Sequence, residues 1–282
     1  MAQLWKGAPV AAALTEQLSQ RAQALIAKGV TPTLAIVRVG ERPEDLSYER
    51  GALKRCEKVG IAVRQYLLTA TSSQTDLMEV IKEINRDDSI HGCLLFRPLP
   101  KHMDEAAVCA ALSPAKDVDG ITAGSLAAVF SGSGAGYPPC TAQACLEILD
   151  HYGYELKGKR AVVVGRSLVI GKPVSMLLLG RHATVTICHT RTADLPAECR
   201  RADVLVAAAG KAGAVSAQCL APGQVVLDVG INVDEEGNLV GDVDFAAADA
   251  IVGAVTPVPG GVGAVTTSVL AAHVLQAAEQ AR

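Results

Sequence analysis

The sequence predicts an α/β protein of two domains, each a mainly parallel sheet covered by helices. Three observations predict it. The chain has 282 residues, where a domain takes roughly 100–200. Two separate series of apolar strands alternate with helix-patterned segments. A run of small and turn-forming residues, Ser131–Pro139 (SGSGAGYPP), divides the two series.

The first series opens with a helix over Pro9–Lys28, where Val10, Leu14, Leu18 and Leu25 mark one face and Gly29 ends it. Thr33–Val39 (TLAIVRV) reads as a buried strand. Asp45–Val59 follows as a helix closed by Gly60. Ala62–Leu68 is strand-like, and Ser73–Asn85 is a helix entered through a Ser/Thr cluster suited to capping. His91–Phe96 (HGCLLF) is a third strand, stopped by Arg97-Pro98-Leu99-Pro100. A helix near Met103–Leu112 leads to the polar segment Pro114–Gly120.

The second series begins after the break. Thr141–Tyr152 reads as a helix and Ala161–Gly165 (AVVVG) as a short strand. Gly171–Leu179 is a helix; Thr184–His189, Val204–Ala209 and Val225–Val229 are strands. Asp234–Asn238 (DEEGN) suggests a turn between two short extended pieces, and Thr266–Ala281 closes the chain as a helix.

Composition removes several classes of function. Half of the residues are hydrophobic, which excludes a disordered chain. Lys plus Arg is 26 against 29 for Asp plus Glu, and aromatics make up 3%. That leaves neither the basic face nor the stacking rings of a nucleic-acid binder. The eight cysteines include no C-x-x-C pair and no metal-ligand cluster, so they read as reduced core residues, and no metal is expected. The N-terminal stretch lacks a signal peptide's basic start and apolar block, and no apolar run approaches the ~20 residues of a membrane span. A cytoplasmic protein with no membrane partner is the expectation.

The strongest local feature is VVVGRSLVIGKP, residues 162–173. A buried strand ends at Gly165, a loop follows, and a helix begins near Gly171 with Pro173 in its first turn. Free backbone N–H groups at that helix start suit a pyrophosphate, and the two glycines allow close approach. Ser167 stands where the second glycine of G-x-G-x-x-G would be, so a plain strand–turn–helix competes with this reading. The next strand ends Cys188-His189-Thr190-Arg191-Thr192, with no carboxylate at its tip. Arg166 and Arg191 suit the 2′-phosphate of NADP better than the bare ribose of NAD. His189 reads as a structural residue at the strand end.

Ordered motifs run through the rest of the chain. They include Val39-Gly40, Pro43, Tyr48, Cys56-Glu57, Val59-Gly60, Pro98-Leu99-Pro100 and Lys116-Asp117-Val118-Asp119-Gly120. Pro139-Cys140-Thr141, Asp228-Val229-Gly230-Ile231-Asn232, Gly241-Asp242-Val243 and Thr256–Gly263 (TPVPGGVG) follow. Together with the 162–173 loop they resemble the methylenetetrahydrofolate dehydrogenase/cyclohydrolase (FolD-type) family. The resemblance implies two Rossmann-like α/β domains with a cleft between them. The first, over 1–138, would hold folate, with a helix at about 266–282 packing back on it; the second, over 139–265, would bind NADP. It further implies a homodimer and methylenetetrahydrofolate, with or without a polyglutamate tail, as substrate. Two reactions go with it: hydride transfer to NADP giving the methenyl cation, then hydrolysis of that cation to formyltetrahydrofolate.

Residue by residue, the resemblance makes Asp119 the pterin-binding carboxylate and places Tyr48 on the folate ring system. Phe96, Arg97, Pro259, Gly260, Gly261, Val262 and Gly263 would complete the substrate contacts. Gly165, Arg166, Ser167, Gly171, Pro173, Thr190, Arg191, Gly210 and Ile231 would contact the cofactor. Arg97 would meet the folate glutamate tail or face solvent.

One departure changes the expected activity. The family carries a Lys four residues after its Tyr, one helical turn on, as the titratable group of the hydrolytic step. Here that position is Ala52, in YERGALK. Lys54, two residues on, lies about 200° around the helix and reads as a solvated surface residue. The Gln that would meet the Lys is also replaced, by Phe96 in FRPLP, and Arg97 cannot serve as a base. Ala264-Val265 and Asp45 depart from the pattern as well. The expectation is therefore a dehydrogenase with weak or absent cyclohydrolase activity. The alternatives are a bifunctional enzyme and a catalytically inactive folate- and NADP-binding protein.

Overall fold

The structure is a computed structural model that describes residues 1–281; the last position of the helix expected over about 266–282, Arg282, lies outside the described residues. In chain order the elements are β1 (Gln3–Leu4), α1 (Gly7–Ile26), β2 (Thr33–Val39), α2 (Pro43–Val59), β3 (Ala62–Leu68), α3 (Gln74–Arg86), β4 (Gly92–Leu95), α4 (Glu105–Ala111), α5 (Ala123–Ser131) and α6 (Cys140–His151). Then come β5 (Arg160–Val164), α7 (Gly171–Gly180), β6 (Thr184–Cys188), α8 (Leu195–Arg200), β7 (Val204–Ala207), β8 (Val225–Asp228), β9 (Asn232–Val233), β10 (Leu239–Val240), α9 (Phe245–Ile251), β11 (Ala254–Val255) and α10 (Thr266–Gln280).

The chain divides into two compact units. One comprises residues 13–140 together with α10 from Thr267. Its sheet is parallel, in the order β3-β2-β4. Every residue of β2 is buried, as a central strand covered on both faces must be. Leu77, Ile81 and Ile84 of α3 pack with Val37 and Leu95 of the sheet. Pro43 starts α2, Glu44 and Asp45 sit in its first turn, and Gly60 ends it in the left-handed conformation. Ser73 and Asp76 form a reciprocal capping box at the start of α3.

The other unit comprises Met1–Ala12 and Thr141–Thr266. Its six-stranded sheet runs β1-β11-β8-β7-β5-β6, with every neighbouring pair parallel. Val162, Leu205 and Val226 lie in its core. The expected turn at Asp234–Asn238 joins β9 and β10 into a small antiparallel hairpin. The first twelve residues, expected with the N-terminal domain, belong to this unit instead. The reason is pairing: Gln3 aligns with Ala254 on β11, and the Trp5 ring stacks on Tyr152 at 4.7 Å and meets Tyr154 edge-on.

All eight cysteines are free, and seven of them are buried. Among the described residues no group of three or more His, Cys, Asp and Glu could hold a metal ion, and no helix is long and apolar enough to cross a membrane.

Candidate active site

In the first unit the KDVDG turn presents one carboxylate. Lys116 donates to the carbonyls of Ile84 and Asp87 at 2.5 and 2.7 Å. Asp117 accepts the amides of Ile121 and Thr122 at 2.9 and 2.7 Å. Both are thus spent on holding the turn, and Val118 is buried. Of the two carboxylates, Asp119 is the one that keeps a partly exposed side chain. Burial pushes its carboxyl up to about 6, and Asp117 adds to that; the neighbouring Cys140 thiol and the charge of Arg97 act against it.

Helix α2 carries the second group of expected residues. Tyr48 is half-buried, and its ring meets Phe96 edge-to-face with centroids 6.0 Å apart. Ala52, one turn further on, is 0% exposed, whereas Lys54 is exposed. The neighbouring acid, Glu49, is buried and fully engaged. One oxygen accepts Arg38 Nε at 2.9 Å, the other Gln65 Nε2 at 2.6 Å, and Arg38 also donates to the Gly40 carbonyl. Asp45 is held by both Nε and Nη2 of Arg42 at 2.8 Å. Arg97 takes neither expected position outright: it is partly buried, 3.5 Å from Glu105.

In the second unit the 165–171 loop folds tightly on itself. Gly165 has φ 137°, and a Cβ there would strike the Ala208 carbonyl. A Cβ on Gly171 would strike the Gly165 carbonyl. These glycines are demanded by the chain's own packing before any ligand is considered. The expected free amides at the helix start are not free. Ser167 Oγ accepts the amides of Ile170 and Gly171 at 3.1 and 3.4 Å, the Ser167 carbonyl accepts that of Lys172 at 3.0 Å, and Pro173 has none. A serine side chain supplies the cap that a phosphate would otherwise supply. Pro173 and Gly171 are themselves buried, so they shape the loop.

Arg166 and Arg191 are both exposed. Both follow the carboxyl ends of adjacent parallel strands, since Val164 of β5 aligns with Cys188 of β6. His189 is structural: its Nδ1 accepts the Arg191 amide at 3.1 Å, and its own amide donates to Thr192. Thr190 is exposed, and Ile231 is 71% exposed. In the TPVPGGVG segment, Pro259, Gly260 and Gly263 are exposed and Gly261 packs on Thr256 and Pro257. Val262 is 1% exposed, so its side chain packs in the core.

Residues 5–119 match the tetrahydrofolate dehydrogenase/cyclohydrolase catalytic domain, and residues 139–282 match the NAD(P)-binding domain of the same family. The chain belongs to the tetrahydrofolate dehydrogenase/cyclohydrolase family. The bifunctional protein FolD of Clostridioides difficile is 51% identical, over 98% of this chain and 96% of that protein. Among solved structures, the bifunctional FolD enzyme of Campylobacter jejuni superposes with a TM-score of 0.96 at 35% identity, covering 99% of each chain. The Trypanosoma brucei dehydrogenase-cyclohydrolase, solved with NADP and an inhibitor, gives 0.92 at 33% identity, over 99% of this chain and 98% of that one.

In this member of the family, two of the most recognisable motifs are scaffolding. Asp228 of DVGIN accepts the amides of Gly230, Asp242 and Val243, at 2.9 to 3.0 Å. Asp242 of GDV accepts those of Ala209, Gly210 and Lys211, at 2.6 to 2.9 Å. The Gly210 amide is therefore committed within the protein. Burial pushes the Asp228 carboxyl up to about 6 against these hydrogen bonds. Sequence reasoning missed the Arg38–Glu49–Gln65 network and the Cys140 contact to Asp119. The opposite charges of Arg38 and Glu49 are visible in the sequence, but only the fold brings them together.

Proposed function

We propose that this chain is an NADP-dependent methylenetetrahydrofolate dehydrogenase with little or no cyclohydrolase activity. The observation that carries the proposal is position 52. One turn after Tyr48, where the hydrolytic step needs a titratable side chain, α2 carries a fully buried Ala52. The nearest acid on that helix, Glu49, has both oxygens engaged. Phe96, an apolar ring, fills the place of the polar partner.

The bound cofactor supplies the hydride acceptor. The residues present fit it: a tight glycine-flanked loop, and two exposed guanidiniums at the ends of adjacent parallel strands suited to a 2′-phosphate. Arg166 and Ser167 would offer loop amides to the pyrophosphate ahead of the capped helix start, with Thr190 and Ile231 as exposed flanking contacts. The match to an NAD(P)-binding domain and the NADP-containing relative support this choice.

On the substrate side, Asp119 would accept two hydrogen bonds from the pterin amino group and ring N–H. Tyr48 and Phe96 would pack against the ring system. Hydride transfer asks only for this positioning, because no proton must move. Hydrolysis of the methenyl cation asks for proton movement around water and the leaving nitrogen. The same reading takes in a homodimer, a cytoplasmic location and polyglutamylated substrate.

The test supplies methylenetetrahydrofolate and NADP, then follows NADPH and methenyl product separately. Methenyl product should accumulate nearly one-for-one with NADPH. The bifunctional relatives favour the second reading, in which formyl product appears at an enzyme-dependent rate; that result would sink the proposal.

A further inference from the structure

We propose that His273 is a positioning residue for the folate site, fixing through the Val118 carbonyl the turn that presents Asp119. His273 lies on α10, 155 residues along the chain from Val118, and is 5% exposed. Its Nδ1 is 2.8 Å from the Val118 oxygen. A carbonyl only accepts, so Nδ1 carries the proton and donates. The Cys140 thiol donates to the same oxygen at 3.4 Å. Two donors from distant segments thus converge on the peptide that joins Val118 to Asp119, and that peptide cannot rotate without breaking both.

The surroundings leave no slack. The Tyr137 ring lies 5.2 Å from the His273 ring, and Gly120 is pressed against the backbone of Tyr137–Pro139. A Cβ on Gly92 would collide with Val118 and meet Val274 of α10. Burial pushes the His273 imidazole down to about 4, so it stays neutral and keeps its tautomer across the working range of an enzyme assay. The imidazole touches no substrate; it acts through the turn.

This rests on the reading of Asp119 as the pterin-binding carboxylate, and the experiment separates the two. The full chain is compared as wild type, Asp119→Ala, His273→Asn, His273→Gln and His273→Leu. Tetrahydrofolate binding is measured by calorimetry, steady-state KM for each substrate by NADPH formation, and melting temperature alongside. Asn places an amide N–H where Nδ1 stood, whereas Gln moves it to the Nε2 position. His273→Gln and His273→Leu should weaken tetrahydrofolate binding about tenfold or more and raise the folate KM with it, leaving the NADP KM and saturated turnover near wild type. His273→Asn should restore folate binding to within about twofold, whatever its melting temperature. Should the Leu variant not fold, the Gln variant decides. Wild-type folate affinity in a folded Gln or Leu variant, an Asn variant as impaired as Gln, or folate and NADP KM rising together would overturn the inference. Unaltered tetrahydrofolate binding in Asp119→Ala would instead overturn the assignment of the site.

Discussion

At the scale of single residues, Asp119 and Arg191 have separable signatures. The carboxyl of Asp119 is pushed up to about 6 by burial, and only its ionised form accepts both pterin hydrogen bonds. Protonation removes an acceptor, so substrate affinity is full above the pKa and is lost as pH falls through it. The folate KM should be flat above pH ~7 and climb towards tenfold per pH unit below ~6, while the NADP KM stays level. A folate KM unchanged down to pH 5 would contradict the assignment. Arg191, exposed just beyond the end of β6, is expected to act through a charge-assisted hydrogen bond to the 2′-phosphate. Arg191→Ala should lower the preference for NADP over NAD by about ten- to a hundredfold, the loss of one charge-assisted hydrogen bond of ~1.5–3 kcal/mol. Turnover measured with both cofactors reads this directly, and an unmoved ratio counts against the 2′-phosphate contact.

At the scale of elements, α2 is held by a buried ion pair rather than by apolar packing alone. Arg38 on β2 and Glu49 on α2 are both nearly inaccessible, with side chains 6% and 5% exposed. Removing one partner leaves the other charged and buried, which costs about 3–5 kcal/mol. Glu49→Ala should show that loss in denaturant unfolding, and Arg38→Met with Glu49→Leu should recover most of it. Single and double variants of equal stability would show that the pair carries no strain when broken. This contact also marks how far the sequence could be read. β2 was legible because TLAIVRV is a mostly apolar run, all of it buried, and β3 because a strand-like stretch lies between Gly60 and the Thr/Ser cluster that follows it. The two-residue strands β1 and β11 were not, since two residues carry no period. The short helices α5, α8 and α9, of nine, six and seven residues, were not read either, although α4, also of seven residues, was. At the site, the absence of Lys at position 52 was legible only through the family resemblance, which implies a Lys four residues after Tyr48; helix spacing adds that both positions share one face. The engagement of Glu49 by β2 and β3, and the cap that Ser167 places on α7, depend on chain crossings that no local pattern records.

At the scale of the whole molecule, the two units are interleaved along the chain, because the first twelve residues belong with Thr141–Thr266. The anchor is Trp5, 5% exposed, stacked on Tyr152 and edge-on to Tyr154, beside the pairing of β1 with β11. Truncating such a buried aromatic costs about 3–5 kcal/mol. Each unit has its own core, so that cost should fall on one of them rather than on the chain as a whole. Trp5→Ala should therefore speed amide hydrogen exchange in β8 and β11, the strands nearest β1 in the six-stranded sheet, and then in β7 and β5. Exchange in β2, β3 and β4 should stay near wild type. NADP binding should weaken more than tetrahydrofolate binding, because the cofactor loop lies in the unit that has lost its anchor. Faster exchange in β2–β4 without change in β8 and β11 would return the N-terminal segment to the unit the sequence first suggested. In that event the β1–β11 pairing would contribute little to stability.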